Sequence, residues 1–185
     1  MCGIFAFLDV PEQVPLEDAR ALALTQARTL RHRGPDKSGV AICGRHVLAH
    51  ERLAIVDPRH GRQPLRSDDG RYVLAANGEI YNHRQLRSET PDWPYATQSD
   101  CEVLLPLYRR EGPRLLERLR GMFAFVLAHE SGWLIARDHL GIIPLYVGRM
   151  ADGRLAVASE MKALTAICPV VREFPPGHYQ TAEDL

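Results

Sequence analysis

The 185-residue sequence carries no net charge, with 23 lysines and arginines set against 23 aspartates and glutamates. That balance gives a polyanion nothing to hold, so no nucleic-acid or membrane partner is expected. No apolar run approaches the ~20 residues of a helical membrane span. The apolar stretch at residues 4–8 is too short for a signal peptide and lacks its basic flank. Cysteines are few: Cys2, Cys43, Cys101 and Cys168, with no Cys-x-x-Cys pair, which leaves neither a zinc site nor a redox dithiol signalled. The eight histidines show no metal-ligand spacing either, so no metal is expected. Internal repeats and low-complexity tracts are absent. A chain this long folds without disulfides, and the expected setting is a reducing cytoplasm. What remains is 45% apolar, enough for the core of one domain over residues 1–185.

The pattern of elements is mixed. Residues 4–8 read as a buried strand, and 16–30 as a helix, with apolar side chains at Leu16, Ala19, Leu22, Ala23, Ala27 and Leu30. Strands are expected at 39–43, 46–55, 72–76, 121–128, 132–137, 145–148 and 155–158. Asn77-Gly78, a strong turn dipeptide, should end the strand at 72–76. Asn82 can cap a short helix over 83–89. Ser99 with Glu102 three residues on reads as a capping box opening a helix to residue 111. Pro106 should kink or shorten that helix, because an interior proline costs ~3 kcal/mol and removes a hydrogen bond. A last short helix is expected at 160–166. The breaker run at 174–178 is followed by a polar tail that reads as the start of a linker. Many short strands with helices grouped between them argue for an α+β sandwich, not a parallel sheet.

Position 2 carries the chemistry. If Met1 is trimmed, Cys2 bears a thiol and a free α-amine on one residue. An α-amine titrates near ~8 against ~10.4 for lysine, so part of it is an available base at neutral pH. That is the logic of an N-terminal nucleophile. On position alone, an ordinary strand cysteine is the commoner case.

The runs 1–4 (Met-Cys-Gly-Ile), 31–36 (Arg-His-Arg-Gly-Pro-Asp), 50–57 (His-Glu-Arg-Leu-Ala-Ile-Val-Asp), 77–82 (Asn-Gly-Glu-Ile-Tyr-Asn), 99–102, 121–125, 137–146 and 158–164 follow one another across almost the whole chain. In this the chain resembles the class-II glutamine amidotransferase domains. Within them it is most similar to the N-terminal glutaminase half of glutamine-hydrolysing asparagine synthetases of the bacterial B type. Pro106 and the compact stretch 91–94 depart from that family's pattern. The resemblance implies an N-terminal-nucleophile hydrolase fold, a four-layer αββα sandwich with two antiparallel sheets. It implies hydrolysis of L-glutamine to glutamate and ammonia through a Cys2 thioester.

Each residue's role then follows. Asn77 and Gly78 would supply the oxyanion hole, through a side-chain NH₂ and a backbone N–H. Losing one such donor costs ~2.7–4 kcal/mol in the transition state. A lone Asn-Gly is more often an ordinary hairpin turn. Arg52 would grip the α-carboxylate with a two-pronged donor, and Asp100 and Glu79 the α-ammonium. Leu53, Ile55 and Val56 would line the pocket. Taken singly, Arg52 reads as a surface charge and Asp100 as a helix-start carboxylate. Arg33 reads equally as a residue set behind the nucleophile or as half of a structural ion pair. Cys43, Cys101 and Cys168, with Phe123 and Phe125, are assigned to packing; His50 and His139 are assigned structural roles.

The family's second domain, which activates aspartate with ATP and Mg, carries a Ser-Gly-Gly-x-Asp-Ser loop that this sequence lacks. No cofactor is expected in these residues. A synthetase domain in cis or in trans is expected as partner, with a homodimer possible in principle. Two other readings stand beside this one. The module could feed ammonia to a different acceptor or cleave a different amide, or it could bind glutamine without turnover if Met1 is retained.

Overall fold

The computed structural model describes residues 1–184 except 56, 58 and 59. Two antiparallel sheets pack face to face. The first has six strands: β1 (Gly3–Leu8), β2 (Lys37–Cys43), β3 (His46–Arg52), β8 (Tyr146–Arg149), β9 (Leu155–Ala158) and β10 (Val170–Glu173). Their order is β10-β8-β9-β1-β3-β2. The second has five: β4 (Leu65–Arg66), β5 (Tyr72–Ile80), β6 (Gly121–His129), β7 (Gly132–Arg137) and β11 (Tyr179–Thr181), ordered β11-β7-β6-β5-β4. Helix α1 (Leu16–Arg28) and the one-turn α4 (Lys162–Thr165) cover the first sheet; α2 (His83–Ser88) and α3 (Leu104–Glu111) cover the second. This is the expected αββα sandwich.

Strand alternation builds three apolar layers. On β1, Ile4, Ala6 and Leu8 enter the core between the sheets, whereas Phe5 and Phe7 face outward under α1. On β5, Val73 and Ala75 face inward while Leu74 and Ala76 face the helices. On β6, Ala124, Val126 and Ala128 point in, and Phe123, Phe125 and Leu127 point out. Helix α1 buries Ala19, Ala23 and Ala27, small side chains that let it lie close to the sheet. Its first turn holds Glu17 and Asp18 and its last turn Arg28, each sign matching the helix dipole.

Several expectations are corrected. Asn77-Gly78 makes no turn: β5 runs through it for nine residues, pairing Asn77 with Ala124 and Gly78 with Phe123. The capping box does not form, because the Ser99 side chain caps nothing. The Glu102 carboxylate instead accepts the N–H groups of Ala96 and Thr97, at 2.7 and 2.8 Å, and the Thr97 hydroxyl. Residues Asp100–Val103 form a 3₁₀ turn and α3 begins after them, so Pro106 sits in the first α-helical turn, where a missing N–H costs little. The polar tail is no linker start, since Tyr179–Thr181 pairs with β7 as an edge strand. Strands β4 and β10 had no expectation at all. No helix among the described residues is long and apolar enough to cross a membrane.

Candidate active site

The inward-facing series on several strands run past the apolar core and end at one mouth of the sandwich. Cys2 continues the Ile4-Ala6-Leu8 series, and Asn77 continues Val73-Ala75. His50 and Arg52 continue from Leu48 on β3, and Met122 precedes Ala124 on β6. Polar and reactive side chains therefore meet where the two sheets part.

Every polar group of Cys2 is engaged. Its N–H donates to Asn77 Oδ1 at 2.9 Å, a bond that joins the two sheets. Its carbonyl accepts Arg33 Nε–H at 2.9 Å. Its Sγ lies 3.4 Å from the Leu53 nitrogen and 3.6 Å from the Leu53 carbonyl oxygen, so thiol and thiolate each find a main-chain partner. Burial raises the thiol pKa above its ordinary value, although the Leu53 N–H, the chain's N-terminal ammonium, Arg52 and Arg33 draw it down. Arg33 also pairs through Nη1 with Glu160 at 2.9 Å. The two readings of Arg33 thus hold together: it stands behind Cys2, and it is half of an ion pair. Burial raises the Glu160 pKa, but hydrogen bonds from Arg33, Lys162 and His32 outweigh that and hold it at about 2.

Because Asn77 Oδ1 is taken by Cys2, the amide's other end is left over. Its Nδ2 is buried with no hydrogen-bond partner among the described residues, and Asn77 lines the pocket beside Cys2. Gly78 has φ +135°, and a Cβ there would lie 2.0 Å from the Met122 carbonyl oxygen. Glycine is needed here for close approach to β6, not for a turn.

The remaining expected residues gather around the same pocket, which is lined by Arg52, Leu53, Ile55, Glu79 and Asp100. Arg52 is 4% exposed, which removes the surface-charge reading. Its Nη2 donates to the Asp57 carbonyl at 2.7 Å. Asp100 is buried and its Oδ2 accepts the Ile80 N–H at 2.7 Å, locking the 3₁₀ turn to the end of β5. Ile55 sits at the rim, 64% exposed. Val56 lies outside the described residues.

The assignments to packing agree with the structure. Cys43, Cys101 and Cys168 are buried, and so are Phe123 and Phe125. Cys101 also borders the pocket, but burial and then the Asp100 charge push its thiol well above the usual range, which keeps it protonated. His50 is fully buried; its Nε2 donates to the Ala76 carbonyl at 2.9 Å, and burial lowers its pKa to about 4, which keeps it neutral. Exposed His139 lies outside the pocket. Sequence reasoning missed Gln63, Met122 and Ile143 on the pocket wall. Strand parity could have found Met122; nothing in the local pattern points to Gln63. Among the described residues no cluster of three or more His, Cys, Asp or Glu is placed to hold a metal ion.

Comparison with known proteins agrees with this geometry. A profile of the glutamine amidotransferase domain matches residues 1–177. Asparagine synthetase B (glutamine-hydrolysing) of Escherichia coli is 50% identical over all of this chain and 33% of its own length. The nodule asparagine synthetase (glutamine-hydrolysing) of Pisum sativum is 42% identical over all of this chain and 31% of its own. The chain therefore spans about a third of the curated relatives it matches. Among solved structures, the glutamine phosphoribosylpyrophosphate amidotransferase of B. subtilis superposes with a TM-score of 0.81 at 26% identity, covering 97% of this chain and 47% of that one. The αββα layering is thus the N-terminal-nucleophile hydrolase fold, and this chain belongs to the glutamine amidotransferase domain family.

Proposed function

We propose that this chain is the glutaminase domain of an asparagine synthetase, with Cys2 as nucleophile once Met1 is removed. The observation that carries the reading is the 2.9 Å bond from the Cys2 nitrogen to Asn77 Oδ1. With Met1 in place that nitrogen is an amide; without it, the same atom becomes a free amine beside the sulfur. Asn77 then orients the amine with one end of its side chain and presents Nδ2 with the other.

The amine takes the thiol proton through a water, and the thiolate attacks the side-chain amide carbon of glutamine. Asn77 Nδ2 and the Gly78 N–H receive the oxyanion. The protonated amine returns its proton to the leaving nitrogen, ammonia departs, and a γ-glutamyl thioester remains on Cys2. Water cleaves it to glutamate and the free thiol. Arg52 binds the substrate carboxylate; Asp100 and Glu79 bind its ammonium; Leu53 and Ile55 border the apolar stem. The 50% identity to a synthetase of three times the length supports passing ammonia to an ATP-dependent domain that converts aspartate to asparagine.

The test is glutamate release, measured on a sample whose intact mass shows Met1 gone. Cys2→Ala is expected to abolish release while glutamine still binds by calorimetry. Turnover by that variant would sink the nucleophile; a processed wild type inert toward glutamine would sink the reading.

A further inference from the structure

Strand β4 covers only two residues of the β5 edge, with Leu65 opposite Leu74 and Arg66 opposite Val73. Continued by two residues, that antiparallel register sets position 63 opposite Ala76. Gln63 closes the ladder there with its side chain. Its Oε1 accepts the Ala76 N–H at 2.7 Å, and its Nε2 donates to the Ala76 carbonyl at 3.0 Å. One carboxamide replaces the donor and acceptor of a neighbouring strand at the edge beyond β4. The Gln63 main chain is itself closely held, since a Cβ on Gly39 would lie 2.1 Å from its carbonyl oxygen. Ala76 immediately precedes Asn77, whose Oδ1 holds the Cys2 nitrogen and whose Nδ2 is buried with no hydrogen-bond partner among the described residues.

We infer that Gln63 is a positioning residue for amide hydrolysis: its carboxamide clamps Ala76 and so fixes where the Asn77 Nδ2 donor points. This rests on the glutaminase reading of the site. A donor that acts on the developing oxyanion matters in the transition state more than in the ground state, so its misplacement lowers kcat and spares KM. An apolar side chain of similar size would fill the space but leave the Ala76 N–H without its partner.

The discriminating variant is Gln63→Glu. Ionised, the new carboxylate accepts the Ala76 N–H but sets its second oxygen against the Ala76 carbonyl. Protonated, it donates and accepts as the amide does. Among the described residues, the charged and titratable groups around this spot are His50, which shares the Ala76 carbonyl, and Cys2, Arg52, Glu79, Asp100 and Cys101 on the same pocket wall. All are present in the wild type, so the readout is the ratio of variant to wild-type kcat, followed from pH 8 to pH 5.5 on full chains lacking Met1. At pH 8 the ratio is expected to be down roughly 10- to 100-fold with KM within about threefold. Acidification should relieve that loss to the extent that the new carboxyl protonates. Gln63→Leu should lose a similar factor at every pH and expose the Ala76 amide to faster hydrogen exchange. A Gln63→Glu ratio near one at pH 8, or a Gln63→Leu variant with wild-type kcat, would overturn the inference. A wild type that releases no glutamate would remove the glutaminase reading and this role together; an active wild type with an indifferent Gln63→Glu would remove only the role.

Discussion

Arg52 is buried at the end of a strand, and its fork geometry is what the proposed carboxylate contact uses. Lysine keeps the charge but supplies a point donor in place of two parallel ones. Because the contact exists in both ground and transition states, Arg52→Lys is expected to raise KM for glutamine about 10- to 100-fold and leave kcat within about threefold. Steady-state kinetics check this, and an unchanged KM would remove Arg52 from the binding site. Glu160 offers a second test at this scale. Its pKa falls from 4.5 unfolded to about 2 folded, so its ionised form favours the native state. That contribution is complete above about pH 4.5 and disappears as pH falls toward 2. Denaturation midpoints of wild type and Glu160→Gln should therefore differ at pH 6 and converge near pH 2. A gap that persists in acid would mean that the carboxylate is not what Arg33, His32 and Lys162 hold.

At the scale of elements, β5 shows both what the sequence reveals and what it hides. Asn-Gly normally signals a turn, because glycine reaches positive φ without strain. Here Gly78 does have positive φ, yet the strand continues, because β6 pairs with it on both sides of the glycine. The local signal identified the residue's conformation and misjudged its use. Gly78→Ala would place a methyl 2.0 Å from the Met122 carbonyl oxygen. A loss of roughly 2–5 kcal/mol is expected from strain and overpacking combined; chemical denaturation measures it. A small loss would mean that β6 can give way. The capping box failed for a related reason. Glu102 found better acceptor geometry with the Ala96 and Thr97 amides, a loop contact that spacing rules do not encode. Strand β10 and the edge strand β11 were illegible because each is short, partly exposed and defined by its neighbour, not by its own apolar pattern.

At the scale of the molecule, the site is an interface between sheets. Cys2 leads into the six-stranded sheet and Asn77 belongs to the five-stranded one, so the bond between them is only as well placed as the core that spaces the two layers. The candidate residues were gathered through the motifs that carry the family resemblance, and their contacts were not legible there. Alternation on β1 and β5 puts both side chains on inward faces, but which strands oppose each other depends on packing across 75 residues of chain. Two substitutions of equal chemistry separate this coupling from stability alone. Leu48 lies in the core between the sheets, and Leu115 lies in the outer layer over the five-stranded sheet; both are fully buried. Changing either to alanine should cost about 2–5 kcal/mol. Leu48→Ala should in addition lower the kcat of the folded fraction, because its cavity lets one sheet shift against the other. Leu115→Ala leaves that spacing intact and should keep the wild-type kcat wherever it is folded. Equal kcat losses in the two variants would show that activity follows overall stability and not the separation of the sheets.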